Sequence, residues 1–412
     1  MRHVPGAGLA FLRTARGGEV FLLYPKLYER ICSVQTFAFS AEARISMKPH
    51  LLLALAVVLC AAGASQTTSA QTWNFAVAGD SRNCGDVVMP AIAQNVHRSN
   101  AAFYWHLGDF RAIYDFDEDY RQAVGPTVNI SRYLHDAWPD FIQNQVVPFG
   151  DLPVFLGIGN HELVPPKTRP DFLQQFADWL DAPVIREQRL RDDRSDHMLK
   201  TYYHWIQSGI DFINLDNASG DQFDAPQMAW FSKVLHNAVS NASVKTVIVG
   251  MHEALPDSLS SGHSMNESAQ ETESGRKVYK SLVDFQAQTG KRAYVLASHS
   301  HFYMGNVYNT ACRQSQKQEI LPGWIVGTAG AVRYRLPQDL SGASDPQTDI
   351  YGYLLATVSA DGAVKFEFKK LSTDDVPQSV KDRFTPDFVN QCFSGNKNTF
   401  VPQGGPQPPN CP

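Results

Sequence analysis

The sequence has no Cys-x-x-Cys pair among its six cysteines, which argues against a structural zinc ribbon. It has no Gly-x-Ser-x-Gly segment, so the nucleophile elbow of a serine hydrolase is absent. It also lacks a Gly-rich loop ending in Gly-Lys-Ser/Thr, which excludes that route to nucleoside triphosphate hydrolysis. The pairs His161-Glu162 and His252-Glu253 both fail the H-E-x-x-H pattern, because Pro165 and Pro256 stand where the second histidine belongs. There is no basic run and no internal repeat. The apolar stretch LLLALAVVLCAAGA spans only 14 residues, too short to cross a bilayer.

What is present is ordinary globular material: 412 residues, 43% hydrophobic and 19% charged, enough for one large core or two modest ones. The short apolar stretch follows Met47-Lys48-Pro49-His50, and small residues follow it, which reads as a signal peptide over 47–70 with a mature start near Ser65 or Gln71. Residues 1–46 then read as an upstream extension from a misassigned start. A lipid anchor on Cys60 fits less well, because Leu59 is too bulky for the preceding position. Beyond residue 70, 38 acidic residues face 29 basic ones, which argues against nucleic acid or an anionic membrane as the dedicated partner. The expected location is secreted or periplasmic. Cys84, Cys312, Cys392 and Cys411 remain there, an even number that suggests disulfides with three pairings open.

From Trp73 onward, short buried-strand patterns alternate with helical ones. WNFAVAGD, AAFYWHLGD, PVFLGIGNH, DFINLDN, KTVIVGMHE and RAYVLASHS read as strands. Between them, the segments beginning at Asp86, Ser131, Asp171, Ala225 and Gly275 read as helices, the fourth capped by Asp224 with Pro226 in its first turn. Such alternation predicts an α/β fold whose ligands gather at the carboxyl ends of the strands. A hairpin is expected at Asp361-Gly362, an irregular tail over 372–412, and a long Ser-rich loop over 254–275. Four Asn-x-Ser sequons lie at Asn129, Asn217, Asn241 and Asn266.

The strand ends carry Asp80, Asp109, Asn160-His161-Glu162, His252 and His299-Ser300-His301. Any one of these is most simply a turn residue or a satisfied polar contact. Together they have the composition of an oxygen-and-imidazole metal site. The two histidines of SHSH project from one face if the backbone is extended, and the interval from Asp80 to Asp109 is about one βαβ unit, which brings both carboxylates to one rim.

In order, GD, GDFRAIYD, GNHE, VGMHE and SHSH resemble the motifs of the calcineurin-like metallophosphoesterases over Asp80–His301. The resemblance implies a four-layer αββα sandwich with two central mixed sheets, formed by residues 71–371. It implies hydrolysis of phosphate mono- or diesters by a metal-activated water, with two ions of Mn, Zn or Fe. Asp109 would bridge them, Asp80 and His301 would serve one ion, and Asn160, His252 and His299 the other. His161 would stand beside the phosphate as a general acid or hydrogen-bond donor, and Glu162 would orient a neighbour or simply start a turn.

Two departures qualify the resemblance. Arg82 replaces a histidine ligand, which weakens the Asp80 position. Three roles are open for Arg82: gripping substrate oxygens, pairing with Asp80 or the acidic cluster at 115–119, or substituting its charge for one ion. Ala112 stands where purple acid phosphatases carry a tyrosinate, with Tyr114 two residues further on, so no tyrosinate-to-iron colour is expected. A loop residue such as Asp257 or His263 could contact substrate. The alternative function is a secreted metal- or phosphate-binding protein whose site has lost turnover.

Overall fold

A computed structural model describes residues 72–218 and 223–398. The upstream extension, the leader and the last residues of the tail lie outside the described residues. The strands are β1 (Trp73–Ala78), β2 (Ala101–His106), β3 (Val154–Leu156), β4 (Tyr203–Gln207), β5 (Ile210–Asn214) and β6 (Thr246–Gly250), followed by β7 (Arg292–Ala297), β8 (Tyr303–Gly305), β9 (Gly323–Val326), β10 (Ser344–Gln347), β11 (Tyr351–Val358) and β12 (Val364–Leu371).

They form two mixed sheets, in the orders β12-β11-β1-β2-β3 and β10-β8-β9-β7-β6-β5-β4. The centre of each is parallel: β1, β2 and β3 in the first, β5, β6, β7 and β9 in the second. Antiparallel strands flank both sides of the second sheet's parallel centre and one side of the first's, whose other edge is the parallel β3, so the fold is the mixed-sheet sandwich that the motifs imply. All six strands read from the sequence are present.

Aromatic side chains hold the sheets face to face. Phe75 of β1 meets Phe212 of β5 edge-on at 5.1 Å, and Phe155 of β3 stacks on Trp205 of β4 at 4.0 Å. Each such pair adds roughly 0.5–1.5 kcal/mol beyond the area it buries. Trp105 of β2 satisfies its indole N–H on Asn214 Oδ1 at 3.0 Å, a buried polar contact across the sandwich.

The helices form outside these sheets for local reasons. Gly85–Arg98 buries Val88, Met89, Ile92 and Val96. Ala225–Ser240 starts where Asp224 accepts the Gln227 N–H, and buries Phe231, Val234, Leu235 and Ala238 at helical spacing. Ala269–Thr289 begins six residues before the expected Gly275, because Ser268 and Glu271 form a reciprocal capping box. The end of the Ser-rich stretch is therefore helix rather than loop.

The segment after Leu371, expected to be irregular, carries helices Gln378–Arg383 and Pro386–Ser394. The second is fastened by a disulfide from Cys392 to Cys84, which joins this end of the chain to the loop after β1. Cys312 is also disulfide-bonded. The hairpin at Asp361-Gly362 is present, with Gly362 in a left-handed conformation that favours glycine. Of the sequons, Asn217 is buried and bonded to the backbone around His252, a position no glycan can share.

Candidate metal centre

Five parallel strands deliver the site. Asp80 follows β1, Asp109 follows β2, Asn160 and His161 follow β3, His252 follows β6, and His299 and His301 follow β7. The loops are tied to one another: Asp80 N–H donates to Gly108 O at 3.0 Å, Ser81 N–H to Asp109 O at 2.9 Å, and Ser298 N–H to His252 O at 2.8 Å. Asp80, Asp109 and His299 all have left-handed backbones, with φ of 60°, 61° and 62°. Non-glycine residues in that region cost on the order of 1–3 kcal/mol each and gather at functional sites. Gly159 is required by close approach, since a Cβ there would collide with Asp109.

The facing atoms are arranged as ligands. His252 Nδ1 donates to Leu107 O at 2.9 Å, which turns Nε2 toward the centre. That Nε2 lies 2.9 Å from Asn160 Oδ1, 3.1 Å from His299 Nδ1 and 3.3 Å from Asp109 Oδ1. One ligating atom from each of Asp109, His252 and His299 lies within 4.8 Å of the others, and the same holds for Asp80, Asp109 and His301. Asp80 Oδ1 faces His301 Nε2 at 3.1 Å, while Oδ2 accepts the His299 N–H at 2.7 Å.

The electrostatics call for a cation. Burial opposes ionisation of both aspartates, yet His301 beside Asp80 draws its carboxyl down to about 2, and His161 and His252 hold Asp109 well below the carboxylate range. Burial likewise opposes a charged His252, but Asp109 and Asp80 raise that ring to about 10. Asp109 Oδ2 is fully buried with no hydrogen-bond partner. The mixed set of carboxylate, amide and imidazole donors on the Oδ1 side of Asp109 fits a bound metal ion.

Arg82 enters this centre. Its Nη1 lies 2.5 Å from His161 Nε2, its Nη2 2.9 Å from His301 Nε2, and its Nε 3.7 Å from Asp109 Oδ2. The acidic cluster turns elsewhere, around fully buried Arg111, whose guanidinium meets Asp86 at 2.5 Å, Asp119 at 3.0 Å and Asp140. Arg82 makes none of the described ion pairs with the 115–119 cluster: Asp117 and Asp119 face Arg111, and Asp117 also accepts the Asn83 N–H at 2.5 Å to hold the loop.

Glu162 accepts three backbone N–H groups at 2.8 Å each, from Asp109, Phe110 and Gly159. Burial and nearby Asp109 push its pKa up to about 8 against those donors, and a bound cation would bring it down. The structure brings Asp80, Arg82, Asp109, Asn160, His161, Glu162, His252, His299 and His301 together. Asp257 stays out, paired with Arg276 at 2.8 Å, whereas His263 reaches the rim. Tyr334 carries no signal in the sequence, yet its ring stacks on His301 at 3.9 Å and on His263 at 5.1 Å. Tyr114, 64% exposed, packs against His161 rather than reaching the carboxylates.

No family model matches the chain, and no curated protein sequence matches it. Solved structures do. A purple acid phosphatase, PPD1, from yellow lupin (Lupinus luteus) seeds is similar at a TM-score of 0.49 and 14% identity, over 82% of this chain and 58% of that one. The structure therefore spans under two thirds of the lupin protein's length. PhoD is similar at a TM-score of 0.45 and 12% identity, covering 75% of this chain and 73% of its own. GAP50, the anchor in the inner membrane complex of Plasmodium, is similar at 0.41 and 13%, covering 82% and 99%. In motif order and sheet architecture the chain resembles the calcineurin-like metallophosphoesterases.

Proposed function

We propose that this protein is a metal-dependent phosphoesterase acting on small phosphate mono- or diesters outside the cytoplasm. The observation that carries the reading is the convergence of Asp109, Asn160, His252 and His299 from four strand ends, with Asp109 Oδ1 and Asn160 Oδ1 both facing His252 Nε2. An ion held by these residues supplies Lewis acidity toward a phosphoryl oxygen and activates water at neutral pH.

The chain's own residues supply the rest. His252 is fixed by Leu107 O so that its Nε2 faces the centre. Arg82 presents a planar fork of N–H donors that suits phosphoryl oxygens. His161 donates its Nδ1 proton to Ala112 O at 2.6 Å and accepts from Arg82 on Nε2. In that tautomer it orients the guanidinium, a task beside the general acid or hydrogen-bond donor that the motif implies. Export is supported by the disulfide between Cys84 and Cys392, a bond kept in oxidising compartments. No helix among the described residues is long and apolar enough to cross a membrane.

The test is one assay. Metal-depleted protein is reconstituted with Mn, Zn or Fe and offered chromogenic mono- and diesters, with Asp109→Ala beside it. Hydrolysis that depends on metal and on Asp109 supports the enzyme. Bound metal without turnover on any ester would favour the binding protein instead.

A further inference from the structure

Resting on the phosphoesterase reading, we infer that the Asp80–Asp109–His301 position takes no metal ion, because the Arg82 guanidinium stands there as a built-in cation. The protein then works with one ion per chain, held on the Asn160, His252 and His299 side of Asp109.

The tautomers carry the argument. His301 Nδ1 donates to Val332 O at 2.6 Å, and His161 Nδ1 donates to Ala112 O at 2.6 Å. Each ring therefore turns Nε2 toward the centre, where His301 Nε2 also meets Asp80 Oδ1 at 3.1 Å. Arg82 fills both, with Nη2 donating to His301 at 2.9 Å and Nη1 to His161 at 2.5 Å. A histidine lone pair that accepts an N–H cannot also ligate an ion, which would have to sit about 2.0–2.1 Å from that same nitrogen. On the other side of Asp109, His252 Nε2 faces Asn160 Oδ1, His299 Nδ1 and Asp109 Oδ1 within 3.3 Å, and Arg82 makes no contact with any of those atoms among the described bonds. One candidate group is open to a metal and the other is filled.

The guanidinium is also clamped in place. Its side chain is 7% exposed, and its Nε lies 3.7 Å from Asp109 Oδ2, the buried oxygen that a bridging ion would otherwise claim. Longer contacts run to two phenols, from Nη1 to Tyr114 at 3.4 Å and from Nη2 to Tyr334 at 3.5 Å. Tyr334 is itself held by stacking on His301. These long contacts are the ones that two phosphate oxygens would replace with shorter, charge-assisted bonds. Arg82 thus takes over a charge-neutralising task that a second ion would perform, and grips the substrate at the same point.

Metal counting tests this without an activity assay. Wild-type protein and Arg82→His are depleted, loaded with Mn2+, dialysed, and measured by elemental analysis and low-temperature electron paramagnetic resonance. The expected result is one ion per chain with an isolated-ion spectrum in the wild type, rising to two with an exchange-coupled spectrum in R82H. Two coupled ions in the wild type would overturn the inference and leave the phosphoesterase reading intact. No bound ion would overturn both. A folded R82H that still holds one ion would overturn the exclusion by the guanidinium, and if R82H does not fold, the wild-type count alone decides.

Discussion

Glu162 Oε2 accepts the backbone N–H of Asp109 at 2.8 Å, a buried contact that joins the loop after β3 to the loop after β2. Through its three backbone donors Glu162 sets the left-handed turn at Asp109 and with it the direction of that carboxylate. Glu162→Ala leaves three buried N–H groups without partners, at about 1–3 kcal/mol each. We expect a large drop in the urea midpoint together with loss of metal affinity, and Glu162→Gln to recover part of both. Unchanged metal affinity in Glu162→Ala would show that the Asp109 loop holds itself.

Asp109→Asn keeps the side chain's shape but removes half of the negative charge that Asp80 and Asp109 provide. Metal affinity should fall by at least a hundredfold in calorimetric titration. In the wild type, metal at a hundred times its Kd should stabilise the fold by about 2.7 kcal/mol, visible as a rise in melting temperature that a chelator reverses and the variant lacks. Equal metal-induced stabilisation in both proteins would place the ion elsewhere.

Arg111 is fully buried against Asp86, Asp117, Asp119 and Asp140. Removing the guanidinium that contacts all four leaves carboxylates crowded in a low dielectric, with Arg383 still beside Asp86, a loss on the order of 3–5 kcal/mol. Burial already raises Asp119 well above the ordinary carboxylate range and Asp140 to about 6. Arg111→Met should therefore be unfolded or weakly folded at pH 7.5 by circular dichroism and regain structure toward pH 5, as protonation relieves the repulsion. A variant as stable as the wild type at neutral pH would contradict this.

His204 lies between Asp192, at 2.5 Å, and Asp211, at 2.8 Å. Burial disfavours the charged ring and the Asp211 carboxylate alike, but two carboxylates on one imidazole win and raise His204 to about 9. The folded pKa exceeds the unfolded value near 6.5, so this stabilisation is complete below about 6.5 and is lost as pH rises through about 9. Denaturation midpoints measured from pH 6 to 10 should fall over that window, and His204→Phe should flatten the curve. An equally steep curve in the variant would assign the dependence to another group.

Cys84 and Cys392 are bonded across 308 residues of sequence. Constraining so long a loop is worth roughly 5 kcal/mol in the chain-entropy account. Cys392→Ser should lose about 2–5 kcal/mol of stability. Because Cys84 lies two residues from Arg82, it should also raise KM for a phosphate ester more than it lowers kcat. A KM unchanged in the serine variant would separate the disulfide from the Arg82 loop.

Much of this protein was legible in its sequence because the signals are local. The six buried strands end in chemistry-bearing residues, and apolar run length with flanking turn residues specifies both. Asp224 before Pro226 marks a helix start by short-range hydrogen bonding alone. The Ser268–Glu271 capping box is equally local, but it sits within a Ser-rich stretch that reads as loop. The ordered helices after Leu371 were not legible, because a Pro- and Asn-rich composition gives no hint that Cys392 will find Cys84.

The sequence by itself determined which carboxylates, amide and imidazoles stand at strand ends, and that Arg82 stands among them. Only the tertiary structure decided what Arg82 does there. Its partners His161 and His301 lie 79 and 219 residues away along the chain, and the backbone carbonyls of Ala112 and Val332 set which nitrogen of each ring is free. Local sequence does not specify a tautomer chosen by a distant carbonyl. Packing two sheets face to face does, and so decides whether the centre has room for one ion or two.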